Sequence, residues 1–346
     1  MITSNNTRMM VSIIMPIRNE VAHITSVLEG VLSQEQSEGG IEIIVADGLS
    51  DDGTREQVER LALQDSRIRC IVNHGRIVST GLNAAIREAR GNIIIRMDAH
   101  TEYAHNYIAR CLAALASSGA DNVGGPWQAR GRGYLQSAIA LAFQSPFSSG
   151  GAGSHRAEYE GSVDSVYLGC WRKETLTRLG LFDEDLVRNQ DDELNLRLTR
   201  AGGKIWQSPD IQSWYYPRSS LLMLFKQYMQ YGYWKVRVIQ KHRLPASVRH
   251  LVPGGFVATL LALFALAPFF ILARWLLVSG LGLYLCANLA ASLITCRRPA
   301  LWKYLPVMLP VFAAYHFGYG WGFLRGVIDF FLLKTRGRKT FEQITR

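Results

Sequence analysis

Residues 93–100 end in two side chains that can bind a metal ion. The run Ile-Ile-Ile-Arg-Met precedes Asp98, Ala99 and His100. Carboxylate and imidazole groups are common ligands of divalent cations. A buried strand that ends in this pair can present a divalent ion to a diphosphate. An aspartate at a strand end also stabilises turns, so the pair by itself leaves a structural interpretation open.

Two earlier apolar runs are also followed by polar side chains. The residues after the first run include Pro16, Asn19 and Glu20. The segment after the second run, 47–54, reads Asp-Gly-Leu-Ser-Asp-Asp-Gly-Thr. Its leading Asp47 can accept a charge-assisted hydrogen bond from the imide N–H of uracil. Asp52 is also a suitable N-terminal cap for a helix that begins at residue 54, and both interpretations can hold together.

The first hundred residues alternate short β-branched runs with amphipathic stretches. We predict strands at 11–15, 41–46, 68–72 and 93–96, and helices at 22–32, 54–63 and 80–89. This alternation predicts a mostly parallel sheet covered on both faces. In such sheets the ligand binds at the carboxyl ends of the strands. Asn19, Asp47 and Asp98 all fall there, so we expect them to meet in one crevice.

The next hundred residues contain weaker signals. We predict strands at 122–127 and 166–171, a helix at 192–201, and strand material at 204–214 around Pro209. Residues 145–165 are rich in glycine and serine and favour a mobile loop. The acids of the segment Gln190-Asp-Asp-Glu193 favour the start of the helix through its dipole.

Taken in order, these motifs resemble the family 2 glycosyltransferases with a GT-A fold, over residues 10 to about 240. The resemblance implies an α/β nucleotide-diphospho-sugar transferase fold, a mostly parallel, Rossmann-like sheet, followed here by C-terminal transmembrane helices. Asp98 matches the first acid of the family's Asp-x-Asp motif, and His100 stands where a metal-ligating aspartate is usual. The implied cofactor is a divalent metal, Mn²⁺ or Mg²⁺, bound by Asp98 and His100. Imidazole favours Mn²⁺, because Mg²⁺ prefers oxygen ligands.

The same resemblance assigns roles to further residues. Asp191 matches the family's general base, with Gln190 in place of the usual glutamate before it and Asp192 as the alternative base. No separate nucleophile is implied, so the anomeric centre should invert. The implied nucleotide-sugar-binding residues are Pro16, Asn19, Glu20, Asp47, Ser50, Asp52, Asn83 and Asp98. Glu20 fits equally well as a first-turn acid favoured by the helix dipole.

Acceptor-side residues are implied in two places. Gly169, Cys170 and Trp171 are the expected wall of the acceptor site. Gln227 and Trp234 occupy the position of the Gln-x-x-Arg-Trp signature of processive synthases without matching it. Aromatic residues in that stretch fit a sugar-stacking role or, as the interpretation we favour, a position at the bilayer surface.

The composition changes after residue 253. Residues 254–273 and 275–295 are two uncharged runs of about 20 residues, each long enough to cross a bilayer. Basic clusters at 235–249, 297–303 and 334–339 favour the cytoplasmic side. A single crossing by 305–333 would place the last cluster outside, so we expect a re-entrant or interfacial segment, broken around 316–322, in preference to a third span.

These features give a domain plan. We predict an N-terminal tail (1–9), a GT-A catalytic domain (10–217), interfacial helices (218–252), two transmembrane helices (253–296) and a membrane segment with a basic tail (297–346). The net charge of +10 lies mostly beside the membrane segments, so we expect anionic lipid or a lipid diphosphate, and no nucleic acid, as partner. Five scattered cysteines without a Cys-x-x-Cys pair are expected to be reduced.

With this membrane tail, the resemblance is greatest to the bacterial exopolysaccharide glycosyltransferases. It implies a non-processive enzyme of the inner membrane, multi-pass, with its catalytic domain in the cytoplasm. The implied donor is a UDP-sugar, often UDP-glucose, and the implied acceptor is a polyprenyl-diphosphate-linked oligosaccharide. A polyprenyl-phosphate glycosyltransferase and a non-catalytic membrane scaffold remain the alternatives.

Overall fold

The computed structural model describes residues 10–34, 39–335, 337 and 341 of the 346-residue chain. The predicted tail at 1–9 and most of the basic C-terminal tail lie outside these residues. The chain forms two compact units. The first contains the chain up to Gln128 together with Gly153–Tyr215, and the second contains Ala129–Ala152 and the chain from Tyr216 onward. The second boundary falls close to the predicted one at 217, but 129–152 belongs to the second unit, which the sequence did not indicate.

Eleven strands occur in the described part of the chain. They are β1 (Val11–Ile17), β2 (Ile41–Asp47), β3 (Ile68–Val72), β4 (Ile93–Arg96), β5 (Thr101–Tyr103), β6 (Asn122–Gly125), β7 (Gln128–Ala129), β8 (Gly161–Ser162), β9 (Tyr167–Arg172), β10 (Ile205–Gln207) and β11 (Ser213–Tyr215). Eight of them form one sheet in the order β3-β2-β1-β4-β9-β6-β10-β8. The first four in that order pair in parallel, whereas β9 runs antiparallel to both its neighbours. Strands β5 and β11 pair separately, antiparallel to each other.

Twelve α-helices accompany these strands in the same described residues. They are α1 (Ile24–Leu32), α2 (Thr54–Gln64), α3 (Val78–Glu88), α4 (Tyr107–Ser118), α5 (Tyr134–Phe143), α6 (Pro146–Ser149), α7 (Lys173–Arg178), α8 (Gln190–Arg200), α9 (Leu221–His242), α10 (Val252–Leu266), α11 (Ile271–Thr295) and α12 (Leu305–Gly326). The predicted mobile loop at 145–165 contains α6, a 3₁₀ turn at Gly153–His155 and β8.

The large sheet is buried on both faces because successive side chains of a strand point to opposite sides. On one face, Ile13 and Ile43 join the core that α1 and α4 cover. On the other face, Ile14 and Ile44 join the core that α3 covers. The apolar side chains that occupy most positions of β1 and β2 thus contribute to both cores. The predicted mostly parallel α/β fold is confirmed.

The second unit is helical, and glycines set its closest helix contact. A Cβ at Gly322 of α12 would lie 1.9 Å from the carbonyl oxygen of Met229 in α9, and one at Gly232 would lie 2.0 Å from that of Tyr319. Small residues at this spacing let two helix backbones approach closely. The prediction of a break around 316–322 is therefore wrong: α12 is continuous there, because its glycines serve helix packing. A π-helix, Val327–Leu332, follows it directly.

Two helical segments are long and apolar enough to cross a membrane: Val248–Leu266 and Ile271–Thr295. Most of their surface is uncovered by the rest of the protein. The turn between them falls at 267–270, ahead of Arg274, the residue that interrupts the uncharged sequence. Arg274 lies in the first turn of α11, where its guanidinium donates to the carbonyl oxygens of Ala267 and Pro268. All five cysteines are free thiols.

Candidate active site

The loops after β1 and β2 are joined by a small hydrogen-bond network. Ser50 donates its hydroxyl to Oδ1 of Asp47 over 2.6 Å and accepts from the backbone N–H of Asn19. The amide of Asn19 exchanges two hydrogen bonds with Asp51. Asn19 adopts a left-handed conformation, which asparagine tolerates better than most residues. The network fixes the two loops to each other at the carboxyl ends of adjacent strands.

Asp47 itself is completely buried, and its carboxylate accepts from the hydroxyl and the backbone N–H of Ser50. In this conformation Ser50 covers the carboxylate, and a direct contact of Asp47 with the nucleotide base stays a prediction. Pro16 lies in β1 beside Ala46 and packs next to Gly81. Asp47 and Pro16 thus form the floor of the crevice at the strand ends.

Asp52 fastens the start of α2. Its carboxylate accepts from the hydroxyl and backbone N–H of Thr54 and from the backbone N–H of Val21. Burial works against ionisation, but these hydrogen bonds hold the pKa of Asp52 below its usual value. The residue at the N-cap position of α2 is Gly53, so the predicted cap Asp52 lies one position earlier and still binds Thr54 at the helix start. Because these hydrogen bonds already occupy the carboxylate of Asp52, few of its lone pairs remain for a nucleotide.

Asp98 follows β4 in a buried ion pair that the sequence analysis missed. Nε and Nη2 of Arg96 each donate to one carboxylate oxygen of Asp98, both over 3.0 Å. Burial, the largest effect, would raise the pKa of Asp98, but Arg96, His100 and Arg188 together hold it below its usual value. The signal was available, because residues i and i+2 of a strand share a face. Asp98 is therefore a carboxylate, as a metal ligand must be.

His100 lies beside Glu20. Its Nδ1 is 3.8 Å from Oε1 of Glu20, whose carboxylate is buried while the imidazole is about one-third exposed. Nδ1 of His100 therefore faces the Glu20 carboxylate. The backbone N–H of Glu20 donates to Thr54. Glu20 thus lies beside His100, and its contact with the donor stays a prediction.

The donor set of Asp98 and His100 fits a divalent ion that the substrate helps to bind. Among the described residues no group of three or more ligating side chains occurs. A diphosphate and water would have to complete the coordination shell, as is common for Mg²⁺. Each carboxylate oxygen of Asp98 accepts one hydrogen bond from Arg96 and keeps a second lone pair. The residues present therefore suit the ion in chemistry, as two ligands of a shell that the substrate and water would complete.

Asp191 lies in the first turn of α8, after Asn189 in a left-handed conformation. Its Oδ1 accepts from the backbone N–H of Asp192. Asp191 is close enough to Arg96 to raise the pKa of that guanidinium, second only to Asp98 among the charges that do so. Asp191 thus acts on the same buried cation that Asp98 binds. Two separate pieces of sequence are brought together here.

Glu193 has a structural role in the same helix. Its fully buried carboxylate pairs with Arg197, and Arg197 donates to the carbonyl oxygens of Leu179 and Leu181. This ion pair attaches the first turn of α8 to the preceding turn. Glu193 thus stabilises the helix start that presents Asp191.

Several predicted site residues lie elsewhere. Asn83 is buried, and its amide donates to Phe182 and Glu184 and accepts from the backbone of Phe182. It holds that turn and does not face the donor crevice. Cys170 and Trp171 pack in the two cores on opposite faces of the sheet. They cannot form an acceptor wall, because neither side chain reaches the surface.

Gly169 has a positive φ, and a Cβ there would lie 2.4 Å from the Trp171 ring. Glycine is required for backbone shape at this position. In the second unit, Trp234 is 1% exposed and donates from Nε1 to the carbonyl oxygen of Phe341. Gln227 is also buried and donates to the hydroxyl of Tyr231. Trp234 therefore presents no exposed ring to a sugar or to lipid in this conformation, since its indole is enclosed by protein.

This arrangement groups Asp98, Arg96 and His100 after β4. Comparison with known proteins identifies the family. The family model described as "Glycosyl transferase family 2" matches residues 12–170. The succinoglycan biosynthesis protein ExoA of Rhizobium meliloti (strain 1021) is 32% identical over 324 residues, which are 92% of this chain and 95% of that protein. The chain therefore belongs to glycosyl transferase family 2 and is a glycosyltransferase.

Two further similarities extend over nearly the whole chain. The dolichyl N-acetyl-alpha-D-glucosaminyl phosphate 3-beta-D-2,3-diacetamido-2,3-dideoxy-beta-D-glucuronosyltransferase of Methanococcus voltae is 28% identical and covers 96% of this chain and 99% of its own. The structure of mannosyltransferase PcManGT from Pyrobaculum calidifontis, in complex with GDP-Man and Mn²⁺, superposes with a TM-score of 0.59 at 19% identity. The superposition covers 91% of this chain and 88% of the mannosyltransferase chain. The GT-A fold is thereby confirmed.

Proposed function

We propose that this enzyme transfers one sugar, with inversion, from a nucleotide diphosphate donor to a polyprenyl-diphosphate-linked oligosaccharide in exopolysaccharide biosynthesis. UDP-glucose is the first candidate donor. The observation that carries the proposal is the grouping of Asp98, Arg96 and Asp191 at the carboxyl end of the sheet. Similarity to a succinoglycan biosynthesis protein along nearly the whole chain supports the pathway.

The donor would bind through its diphosphate at Asp98 and His100, with Mn²⁺ or Mg²⁺. The bound ion would stabilise the charge that develops on the leaving diphosphate. Glu20 would keep Nε2 of His100 directed at the ion. Asn19 and Ser50, held by Asp47, would form the rigid loop that receives the nucleoside. The neighbour with GDP-Man and Mn²⁺ supports a nucleotide donor with a divalent ion, and leaves uridine and guanosine as the bases to compare.

Asp191 would act as general base. Its carboxylate takes the proton from the acceptor hydroxyl while that oxygen attacks the anomeric carbon, and the bond from this carbon to the diphosphate breaks. A single displacement converts an α-linked donor into a β-linked product. Asp191 precedes Asp192 as candidate because it matches the family's base position and is the one of the two that acts on the charge of Arg96.

The acceptor would be a sugar that is already attached to a lipid. The name of the Methanococcus voltae relative includes a dolichyl-linked sugar phosphate, which favours a lipid-linked sugar over a bare lipid phosphate. The two apolar helices would anchor the enzyme in the bacterial inner membrane, with the catalytic unit in the cytoplasm and basic residues near anionic headgroups.

Binding of nucleotide sugars tests the donor first. Full-length enzyme in detergent is titrated by calorimetry with UDP-glucose, UDP-galactose and GDP-mannose, each with Mn²⁺. The best donor is then incubated with membranes that contain lipid-linked oligosaccharide, and the product linkage is read by NMR. Saturable binding and a β-linked product on the lipid support the proposal. Transfer to bare polyprenyl phosphate alone would favour the rival acceptor.

A further inference from the structure

Arg96 holds both oxygens of Asp98. The two hydrogen bonds are each 3.0 Å long, and the pair is largely buried, with 9% of the Arg96 side chain and 13% of the Asp98 side chain exposed. A forked guanidinium–carboxylate pair fixes the plane of the carboxylate as well as its position. The side-chain torsions of Asp98 are therefore set before any ligand arrives.

The main chain of Asp98 is held independently. Its backbone N–H donates to the hydroxyl of Tyr103 over 2.6 Å, and that hydroxyl donates in turn to the Asp98 carbonyl oxygen over 3.1 Å. Tyr103 thus fixes the backbone of the turn while Arg96 fixes the carboxylate. Loss of Arg96 would leave the backbone in place and release only the side chain.

We propose that Arg96 is a positioning residue for the divalent ion. Arg96 orients the free lone pairs of Asp98 toward the position that the ion would take beside His100. The inference rests on the proposed function, because it assumes that Asp98 ligates the ion. Residues that hydrogen-bond a metal-ligating side chain commonly account for 10-fold to 100-fold in metal affinity. We assign Arg96 an effect of that size.

Electrostatic repulsion alone predicts the opposite effect of Arg96 on the binding of the ion. Arg96 is a cation within a few ångströms of the proposed ion, and like charges repel in proportion to the inverse of their separation. If repulsion dominated, removal of Arg96 would tighten the binding of the ion. Orientation dominates in our proposal, because the charge of Arg96 is already compensated by Asp98 and by the nearby Asp191.

The test measures the binding of Mn²⁺ to the full-length protein in the presence of UDP, and separately of GDP, by the EPR signal of free Mn²⁺. The variants are Arg96→Lys, Arg96→Gln, Asp98→Asn and the double variant Arg96→Lys/Asp98→Asn. Arg69→Lys is the matched control, because Arg69 pairs with the buried Glu42 at the opposite, amino end of the strands. Thermal unfolding of each variant checks that it is folded.

We expect both Arg96 variants to bind Mn²⁺ about 10-fold or more weakly, and Arg69→Lys to bind as the wild type does. In the Asp98→Asn background, Arg96→Lys should add less than about two-fold, since residues that act through one another are not additive. Unchanged or tighter binding in the Arg96 variants, or independent effects of the two substitutions, would overturn the inference alone. Failure of the wild type to bind Mn²⁺ with either nucleotide would overturn the proposed function as well.

Discussion

The hydroxyl of Ser50 donates to Oδ1 of Asp47 over 2.6 Å and covers that buried carboxylate. Ser50 also accepts from Asn19, so Asp47 acts on the crevice through the loop that contains Ser50. The acid that the family motif assigns to the base thus becomes, in this conformation, an anchor for the residue above it.

We expect Ser50→Ala and Asp47→Asn to weaken UDP binding by similar factors of about five, the equivalent of one hydrogen bond of ~1 kcal/mol. The double variant should be little worse than either single one, because both act on the same contact: Ser50→Ala removes it, and Asp47→Asn replaces the charge-assisted hydrogen bond with a weaker neutral one. Calorimetry with UDP measures all three. If Asp47→Asn abolishes binding while Ser50→Ala has no effect, Asp47 contacts the base directly after a loop movement.

Asp191→Asn should reduce sugar transfer by about 100-fold or more, the usual contribution of a general base. Asparagine keeps the shape and the hydrogen bond from Asp192, so donor affinity should stay near that of the wild type. Single-turnover transfer and donor titration separate the two quantities. Asp192→Asn is the matched neighbour. Wild-type turnover in Asp191→Asn, with loss in Asp192→Asn, would move the base by one residue.

Activity should require a divalent ion and should be at least as high with Mn²⁺ as with Mg²⁺, because His100 offers nitrogen. His100→Asp should shift the preference toward Mg²⁺, the harder cation. Transfer rates over a range of each ion after EDTA treatment measure both effects. EDTA-resistant transfer would contradict the metal requirement, and an unchanged preference in His100→Asp would identify a histidine with a structural role.

The alternating strands and helices of the first hundred residues were predictable, because β1 to β4 are mostly apolar runs, of which β1, β2 and β4 are buried along almost their whole length. The strand ends, and with them Asp98 and His100, followed from that pattern. Hydrogen-bond partners did not: the motifs that name Asp47, Asp52 and Asn83 do not reveal that each binds its own loop or a neighbouring turn. Such contacts join distant segments, as Asn83 joins Phe182. The spacing of residues within one segment does not predict them.

In the membrane part, too, contacts between distant segments could not be predicted from the sequence. Glycines in an apolar stretch predicted a broken helix, since glycine lowers helix propensity. Here Gly322 and Gly232 lie where two backbones meet, and packing outweighs propensity. A single sequence contains the small residues of such a contact but not the identity of the partner helix.

Gly322→Ala should therefore destabilise the second unit by about 1–3 kcal/mol, the cost of an overpacked contact. The added methyl group would overlap the carbonyl oxygen of Met229, a backbone atom that cannot rotate away. Gly280→Ala in α11 is the control, because a Cβ there has no neighbour within 4 Å. Thermal unfolding in detergent should show a lower midpoint for Gly322→Ala alone. Equal midpoints would mean that α9 and α12 are not in this close contact.

The last prediction concerns the course of the chain after the two apolar helices. We expect the C-terminal Arg346 to be cytoplasmic, like the catalytic unit, because the basic clusters at 235–249, 297–303 and 334–339 then share one side. Since α12 is continuous and packs along α9, we expect this pair to lie at the membrane surface. The polar residues of α9 fit that position, and its buried Lys235 would be costly inside the hydrocarbon core.

Reporter fusions to Arg346 distinguish an α12 that lies at the membrane surface from an α12 that crosses the membrane as a third span. A green fluorescent protein fusion should be fluorescent and an alkaline phosphatase fusion inactive, as for a cytoplasmic end. The same reporters placed after Phe270, in the turn between α10 and α11, should give the reverse result and serve as the positive control for the periplasmic side. An active phosphatase at Arg346 would instead require α12 and the π-helix after it to cross the membrane as a third span, with the last basic cluster outside.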